Sequence, residues 1–208
     1  MFTGIVEELG IIHNITSNKI EIECSKVLKD TKIGDSIAVN GVCLTVTNLT
    51  SNSFIADISP ETLNVTCFGK LKNGNQINLE RAMKADGRFD GHMVSGHIDG
   101  IGKVFSIQKN NHFYNLKIEL NDNQEKYAVK KGSITIDGIS LTIAEINNNV
   151  INIAVIPHTY ENTNLKNLKI NDFVNIEVDI VAKYIEKFLS SSDNKSRITM
   201  EYLQEHGF

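Results

Sequence analysis

Short stretches in which apolar and polar residues alternate recur along the whole chain. Residues 20–24 and 116–120 alternate with a period of two, as expected of strands with one buried face. Residues 36–39 and 133–136 run into Asn-Gly and Asp-Gly pairs, which favour tight hairpin turns. Four more strands are predicted in the first half: one directly after Gly4, and three at residues 44–47, 54–58 and 76–80. Each half of the chain therefore holds about six predicted antiparallel strands.

The two prolines reveal an internal repeat. Pro60 and Pro157 are 97 residues apart, and the segments around them match. The same offset aligns residues 40–46 with 137–143 and 78–80 with 175–177, whereas residues 4–10 match 96–102 at an offset of 92. Three ordered blocks at nearly one offset indicate a tandem duplication. We expect the five additional residues around 108–112 or 121–125, since both stretches are polar.

Six short strands in about 90 residues predict a small barrel, so the chain is predicted to be all-β. We expect two tandem six-stranded antiparallel Greek-key β-barrels, at residues 1–92 and 93–178, then an amphipathic helix at 179–190 and a flexible tail at 191–208. The predicted helix carries one apolar stripe, formed by Ile180, Val181, Tyr184, Ile185, Phe188 and Leu189. Packing on its own barrel and self-association between chains both remain open for this stripe.

Composition narrows the function classes. The 208 residues carry a formal net charge of −4, which argues against a nucleic-acid or anionic-membrane binder. No apolar run reaches the roughly 18 residues of a membrane helix, and the first residues do not resemble a signal peptide. Three cysteines without a CxxC pair fit a reducing compartment, so we expect a cytoplasmic protein.

Motifs for metals and phosphates are weak or missing. His92 and His97 are five residues apart with no HxxxH or CxxC partner, so loop histidines are the better interpretation and no metal site is expected. The sequence has no GxGxxG and no Walker motif, and its glycine-rich stretch at 87–102 is read as turn chemistry. We therefore expect no phosphorylated cofactor.

Differences between the copies are the more informative signal. Cys43 in the first copy corresponds to Ser140 in the second, while Thr45 and Thr142 are alike. From spacing alone, a turn hydroxyl and a small buried cysteine are the commoner interpretation. Four further polar residues of the second copy replace different residues of the first, namely His97 for Ile5, Lys131 for Gly34, His158 for Glu61 and Asp179 for Ala82. The two copies could therefore have different roles, with two similar pockets for two identical ligands.

Four segments carry a resemblance to a known family. Residues 1–7 (MFTGIVE), 40–46 (NGVCLTV), 93–98 (MVSGHI) and 136–142 (IDGISLT) closely resemble riboflavin synthases of the duplicated lumazine-binding-barrel type. The match extends over about residues 1–190 with both copies in order. Each segment alone would be weak, but their combination is specific.

The resemblance implies a reaction and an assembly. Two molecules of 6,7-dimethyl-8-ribityllumazine would dismutate by transfer of a four-carbon unit, giving riboflavin and 5-amino-6-(ribitylamino)uracil without a metal or redox cofactor. Family members are homotrimers held by the C-terminal helix, and the active site lies between the first barrel of one subunit and the second barrel of a neighbour. Association with lumazine synthase is a further partner that the resemblance suggests.

The resemblance also implies site residues. His97 would shuttle a proton and lies with Cys43, Ser36 and Thr45 on one side. Ser140 and Thr142 would orient a water or hydroxyl, with Asp179 beside them. Substrate contacts are expected from Phe2, which would close over the ring, and from Gly4, Ile5, Val6, Cys43, Leu44, Thr45, Asp57, Ile58, Ser59, Pro60, Glu61, Thr62, Gly96, His97, Ile98, Lys131, Ser140, Leu141, Thr142, Ala154, Val155, Ile156, Pro157, His158 and Thr159. His158 stands where some relatives have an acidic residue, which leaves the ribityl contact there open.

Two other classes of protein compete with an enzyme. A non-catalytic lumazine or flavin binder could use the same duplicated barrel, and such proteins tend to lose the polar residues of one pocket. A ligand-free oligomerisation module would not explain why the turns carry Cys43, Ser140 and Lys131. The retained polar residues favour the enzyme.

Overall fold

The first half of the chain forms a closed six-stranded barrel in a computed structural model that describes residues 1–192 and 204–207. Its strands are β1 (Glu8–Ile15), β2 (Lys19–Glu23), β3 (Ser36–Val39), β4 (Val42–Leu49), β5 (Ser53–Asp57) and β6 (Gln76–Arg81). They are antiparallel and close in the order β1-β2-β5-β4-β3-β6. This is a Greek-key order, because β2 pairs with β5 rather than with β3.

The second half repeats this barrel. Its strands are β7 (Gly100–Asn110), β8 (Phe113–Glu119), β9 (Ser133–Ile136), β10 (Ile139–Asn147), β11 (Val150–Val155) and β12 (Phe173–Val178). They close as β7-β8-β11-β10-β9-β12, the order of the first barrel. Two tandem six-stranded barrels were predicted, and the structure confirms them.

Strand register shows where the second copy is longer. Ile15 pairs with Ile20 across the first hairpin, and the equivalent pair in the second barrel is Ile107 with Leu116. The partners are separated by five positions in the first pair and nine in the second, so four of the five additional residues lie in the β7–β8 hairpin. The fifth lies between β8 and β9. The additional residues are therefore divided between the two predicted regions, the β7–β8 hairpin and the connection from β8 to β9.

Each barrel has its own apolar core. Alternation along the strands turns every second side chain inward, and Ile20 and Ile22 of β2, like Ile151 and Ile153 of β11, are fully buried. Burying one such side chain contributes roughly 1.5–3 kcal/mol to folding. The two cores are separate clusters, one within each barrel.

Within residues 1–192 the structure has three short α-helices that the sequence analysis, which predicted a single helix, did not find. Helices α1 (Pro60–Val65) and α3 (Pro157–Asn162) follow β5 and β11, and α2 (Asp122–Glu125) follows β8. At four to six residues they are too short to show a 3.6-residue apolar period. The two prolines that revealed the repeat each begin one of these helices, where a missing N–H leaves no donor unpaired.

The C-terminal helix α4 (Ile180–Ser192) starts one residue later and ends two residues later than predicted. Asp179 caps it by accepting a hydrogen bond from the Val181 N–H at 2.9 Å. The part of the predicted tail at 193–203 and 208 lies outside the described residues. Among the helices that the structure describes, none has the length and apolar character needed to cross a lipid bilayer.

Charged contacts hold α4 on its own barrel. Glu186 binds Lys126 at 2.8 Å and also the Tyr127 hydroxyl, while Lys183 binds Asp99. The apolar stripe stays largely exposed, including Tyr184 at 58% and Ile185 at 54%. A groove of about 490 Å³ runs between α4 and the second barrel. Polar contacts thus fix the helix, while apolar residues such as Val181 and Ile185 line the open groove and remain largely exposed.

Candidate active site

The two barrels exchange the segments that precede their first strands. Phe2 and Val94 form a bridge between these segments, which lie antiparallel at the junction of the barrels. Val6 packs against the core of the second barrel, whereas Ile98 packs against the core of the first. Each predicted ring-binding segment therefore serves the barrel of the other copy, an arrangement that strand patterns alone do not show.

Two buried carboxylates hold the exchanged segments. Glu80, at the end of β6, accepts hydrogen bonds from the Thr3 N–H at 2.7 Å and the Gly4 N–H at 3.0 Å. In the second copy, Glu177 accepts equivalent bonds from the Ser95 N–H at 2.7 Å and the Gly96 N–H at 3.0 Å. Burial raises the pKa of both carboxyls, although these hydrogen bonds oppose the shift.

Glycines allow the exchanged segments to touch the strands that carry Cys43 and Ser140. The Ser140 N–H donates to the Gly4 carbonyl at 2.8 Å, and the Cys43 N–H donates to the Gly96 carbonyl at 2.9 Å. Both glycines have positive φ, at 78° and 83°. A Cβ on Gly4 would lie 2.6 Å from the Ser140 Cβ, and one on Gly96 would lie 2.6 Å from the Cys43 Cβ. Only glycine fits these two positions.

The first pocket is the surface around Cys43. Cys43, Leu44 and Thr45 lie on β4, and Ser36 is paired with Thr45 across the β3–β4 hairpin. Because β4 and β5 are antiparallel, the end of β5 and the start of α1 lie at the same end of the barrel, which brings residues 57–62 alongside. Gly96 places the backbone of His97 beside Cys43. The structure thus brings together the predicted residues of this side.

The second pocket is the equivalent surface around Ser140. Ser140, Leu141 and Thr142 lie on β10, where Thr142 is paired with Ser133. Gly4 adjoins them, with Ile5 exposed after it. The end of β11 and the start of α3 bring residues 154–159 to the same barrel end, and Lys131 is hydrogen-bonded through its backbone to Ile143 on β10. Asp179, predicted to line this pocket, also caps α4.

His92 is a site residue that the sequence analysis missed. Its Nδ1 lies 2.7 Å from the Ser140 Oγ, and its Nε2 lies 3.2 Å from the Thr135 Oγ1. Burial lowers the pKa of its ring, while the Asp179 carboxylate acts in the opposite direction. Its two partners differ between the copies, since Ala38 stands in the place of Thr135 and Cys43 in the place of Ser140. That difference was the available signal.

Phe2 fills the equivalent space in the first pocket. Its ring is fully buried and packs with Ala38 and Val94, with Cys43 and Ala82 against the same cluster. The ring edge lies 3.0 Å from the position of a Cβ on Gly96. In this conformation Phe2 lies beneath the wall of the pocket, and its closure over a ligand stays a prediction.

Strand alternation divides the other predicted substrate contacts into side chains that point into a barrel core and side chains that are exposed. Four of them point into the barrel cores and offer only backbone groups to a ligand, namely Leu44, Ile58, Leu141 and Val155. The side chains that are exposed around the two pockets include Thr45, Asp57, His97, Thr142, Ala154, Ile156 and His158. Among residues 1–192 and 204–207, no group of three or more His, Cys, Asp or Glu residues is arranged to hold a metal ion.

The duplicated barrels correspond to a known domain family. The profile of the lumazine binding domain matches the chain twice, at residues 3–82 and 95–179. The chain belongs to the lumazine-binding family. The riboflavin synthase of Actinobacillus pleuropneumoniae is 47% identical and that of Bacillus subtilis (strain 168) 44% identical, each over 100% of both chains.

Solved structures of similar proteins show the same architecture. LumP complexed with riboflavin superposes with a TM-score of 0.80 at 29% identity, over 86% of this chain and 99% of LumP. LumP complexed with 6,7-dimethyl-8-(1'-D-ribityl)lumazine superposes with a TM-score of 0.78 at 28% identity, over the same shares. The chain is therefore similar both to curated riboflavin synthases and to a protein crystallised with the lumazine and with riboflavin.

Proposed function

We propose that this chain catalyses the dismutation of two molecules of 6,7-dimethyl-8-ribityllumazine to riboflavin and 5-amino-6-(ribitylamino)uracil, the last step of riboflavin biosynthesis. The full-length identity of 41–47% to curated riboflavin synthases supports this reaction. Riboflavin synthases transfer a four-carbon unit, which makes the activity that of a transferase.

One structural observation carries the proposal. Both pockets keep reactive or polar side chains at their centres, a thiol in the first and a hydroxyl bound to a histidine in the second. An exchanged segment crosses to each pocket from the other copy, so two ring-binding surfaces are built alike. Two similar sites suit a reaction between two identical molecules, because holding both in register can supply several kcal/mol of the barrier.

The chemistry assigns roles to the residues of the two pockets. The 7-methyl group of the lumazine is acidic because its carbanion delocalises into the ring, so a base and a nucleophile would start the transfer. We assign proton shuttling to the exposed His97, because an imidazole can both accept and donate a proton. Cys43, Ser36 and Thr45 lie on the same side. Ser140 and Thr142 face the second substrate, with Asp179 beside them.

We also propose a homotrimer whose active sites lie between neighbouring chains. The exposed apolar stripe of α4 supports this, since charged contacts already hold the helix on its own barrel. Asp179 caps the first turn of the helix, so a neighbour that covers α4 would also reach the second pocket. A cytoplasmic location is supported by three free cysteines in the described chain. Association with lumazine synthase stays a prediction of the family resemblance.

A non-catalytic lumazine or flavin binder is the second candidate. It is favoured by the similarity to LumP, which was crystallised with the lumazine and with riboflavin. The retained side chains Cys43, His97, Ser140 and Asp179 argue for the enzyme.

One assay separates the candidates. The purified chain is mixed with the dimethyl-ribityllumazine, and riboflavin absorbance is followed. Turnover without an added cofactor supports the enzyme, binding without turnover supports the binder, and neither supports an oligomerisation module. The variant His97→Gln should lose most turnover while its oligomeric state is unchanged, and turnover at the wild-type rate would remove His97 from the mechanism.

A further inference from the structure

A polar relay lies beneath the second pocket. The ring of His92 connects the Ser140 hydroxyl, at 2.7 Å from Nδ1, to the Thr135 hydroxyl, at 3.2 Å from Nε2. Thr135 is fully buried and His92 is 8% exposed. Within the described chain, neither hydroxyl has another hydrogen-bond partner, so the position of the proton on the ring decides which way each hydroxyl points.

The buried Thr135 hydroxyl needs a hydrogen-bond acceptor, and this need selects one tautomer of the His92 ring. If the Thr135 O–H donates to Nε2, the proton of a neutral ring lies on Nδ1 and is donated to the Ser140 Oγ. With the proton on Nε2 instead, the Thr135 hydroxyl hydrogen would be buried without an acceptor, a penalty that strongly disfavours that arrangement. Burial lowers the pKa of His92, and the charged group acting on the ring is the Asp179 carboxylate. A neutral ring with the proton on Nδ1 is therefore the consistent assignment.

The first pocket lacks both hydroxyl groups of this relay. Ala38 stands in the place of Thr135 and Cys43 in the place of Ser140. The apolar ring of Phe2 packs there with Ala38, beside Cys43 and Ala82. The duplication has therefore diverged beneath its two pockets, with an apolar filling under the thiol and a polar relay under the hydroxyl.

We propose that His92 is a positioning residue that accepts from Thr135 at Nε2, donates from Nδ1 to the Ser140 Oγ, and so turns the Ser140 hydroxyl hydrogen toward the ligand. Ser140 then acts as a hydrogen-bond donor to a carbonyl or ring-nitrogen acceptor of the heterocycle, and the second pocket alone has such a prepared donor. The inference rests on the proposed function only in taking the heterocycle as the ligand.

The tautomer can be observed without any ligand. In the full-length protein labelled with ¹⁵N-histidine, long-range ¹H–¹⁵N spectra distinguish protonated from unprotonated ring nitrogens, and the signals of His92 are assigned by their loss in His92→Asn. We expect a protonated Nδ1 and an unprotonated Nε2 at neutral pH. A protonated Nε2, or a mixture of both tautomers, would overturn the proposal whether or not the chain is an enzyme.

Coupling between the three residues gives a second test, with riboflavin as the binding probe. Ser140→Ala and His92→Leu should each weaken one of two classes of riboflavin site about tenfold, the effect of one lost hydrogen bond, and the double variant should be no weaker. His92→Asn keeps an N–H near the place of Nδ1 and should recover part of the affinity. Thr135→Val should weaken the same class, whereas the matched control Thr135→Ser should bind as the wild type does.

One set of outcomes would contradict the positioning role of His92, and another would contradict the proposed function. Additive losses in the double variant, or equal affinities for Thr135→Val and Thr135→Ser, would show that His92 supports the fold without orienting Ser140. A wild-type chain that binds no riboflavin would contradict the proposed function, while the tautomer measurement would still decide the arrangement of the relay.

Discussion

Replacing Glu177 by glutamine is expected to loosen the pocket of the other barrel. The carboxylate lies at the end of β12 in the second barrel, but the segment that it holds forms the wall beside Cys43 in the first. It accepts three hydrogen bonds, from the N–H and hydroxyl of Ser95 and from the Gly96 N–H. Glutamine keeps one acceptor oxygen and turns an NH₂ group toward these donors.

The magnitude follows from the bonds that are lost. A hydrogen bond to a charged group contributes about 1.5–3 kcal/mol, and at least one is lost together with the unfavourable approach of two donors. Burial raises the pKa of Glu177, so removing the charge also recovers part of its desolvation penalty. We therefore expect local opening to become easier by about 2 kcal/mol, which corresponds to roughly thirtyfold faster amide exchange.

Hydrogen exchange at two amides is the assay. In Glu177→Gln the Cys43 N–H, bonded to the Gly96 carbonyl, should exchange faster, while the Ser140 N–H should be unchanged. The matched variant Glu80→Gln should give the reverse pattern, and the Ile22 amide in the core strand β2 serves as the control for global unfolding. Faster exchange at Ser140 in Glu177→Gln, with Cys43 unaffected, would refute the exchange of segments.

Three further changes have expected outcomes. Gly4→Ala should lower the unfolding free energy measured in urea by more than the roughly 1 kcal/mol expected of the control Gly74→Ala. Both glycines have positive φ, but a Cβ on Gly4 would clash with Ser140, whereas one on Gly74 would meet nothing within 4 Å. Equal losses would contradict the close contact. Burial raises the pKa of Asp137 to about 6, so the folded chain holds this proton more tightly than the unfolded chain does, and the unfolding free energy should fall by up to about 3 kcal/mol as pH rises from 4 to 6. Urea titrations across that range should show a smaller fall in Asp137→Asn, and an unchanged slope would contradict the assignment. Ile185→Glu should shift the proposed trimer toward monomers in analytical ultracentrifugation, while a mass equal to that of the wild-type chain would exclude α4 from the interface.

Local patterns were sufficient for the repeated architecture. Strand alternation, the hairpin dipeptides and the two prolines predicted both barrels, because these signals depend on neighbours within a few residues. The short helices that begin at Pro60 and Pro157 were missed because six residues do not span two helical turns. The start of α4 was misplaced by one residue because Asp179 is its cap rather than its first residue.

Features that depend on contacts between the copies could not be predicted from one sequence. The alternation predicts that Glu80 and Glu177 lie in strands. It does not predict that they hold the exchanged segments, because the backbone donors that they bind lie more than 75 positions away in the chain. His92 lies in a loop, as predicted, but its contacts could not be predicted because its partners Thr135 and Ser140 belong to two strands more than 40 positions along the chain. The inward direction of Leu44 and Leu141 was visible in the alternation, but the family resemblance had placed both among the substrate contacts.

A mixing experiment tests most directly whether unlike barrels of neighbouring chains form one active site. The variants His97→Gln, damaged in the first pocket, and Ser140→Ala, damaged in the second, are each expected to form riboflavin slowly; they are combined in equal amounts, dissociated and reassembled. In a ring with one site at each interface, random mixing gives an intact pair of pockets at about one interface in four, so about a quarter of wild-type riboflavin formation should return. Activity no greater than the average of the two separate variants would contradict the account.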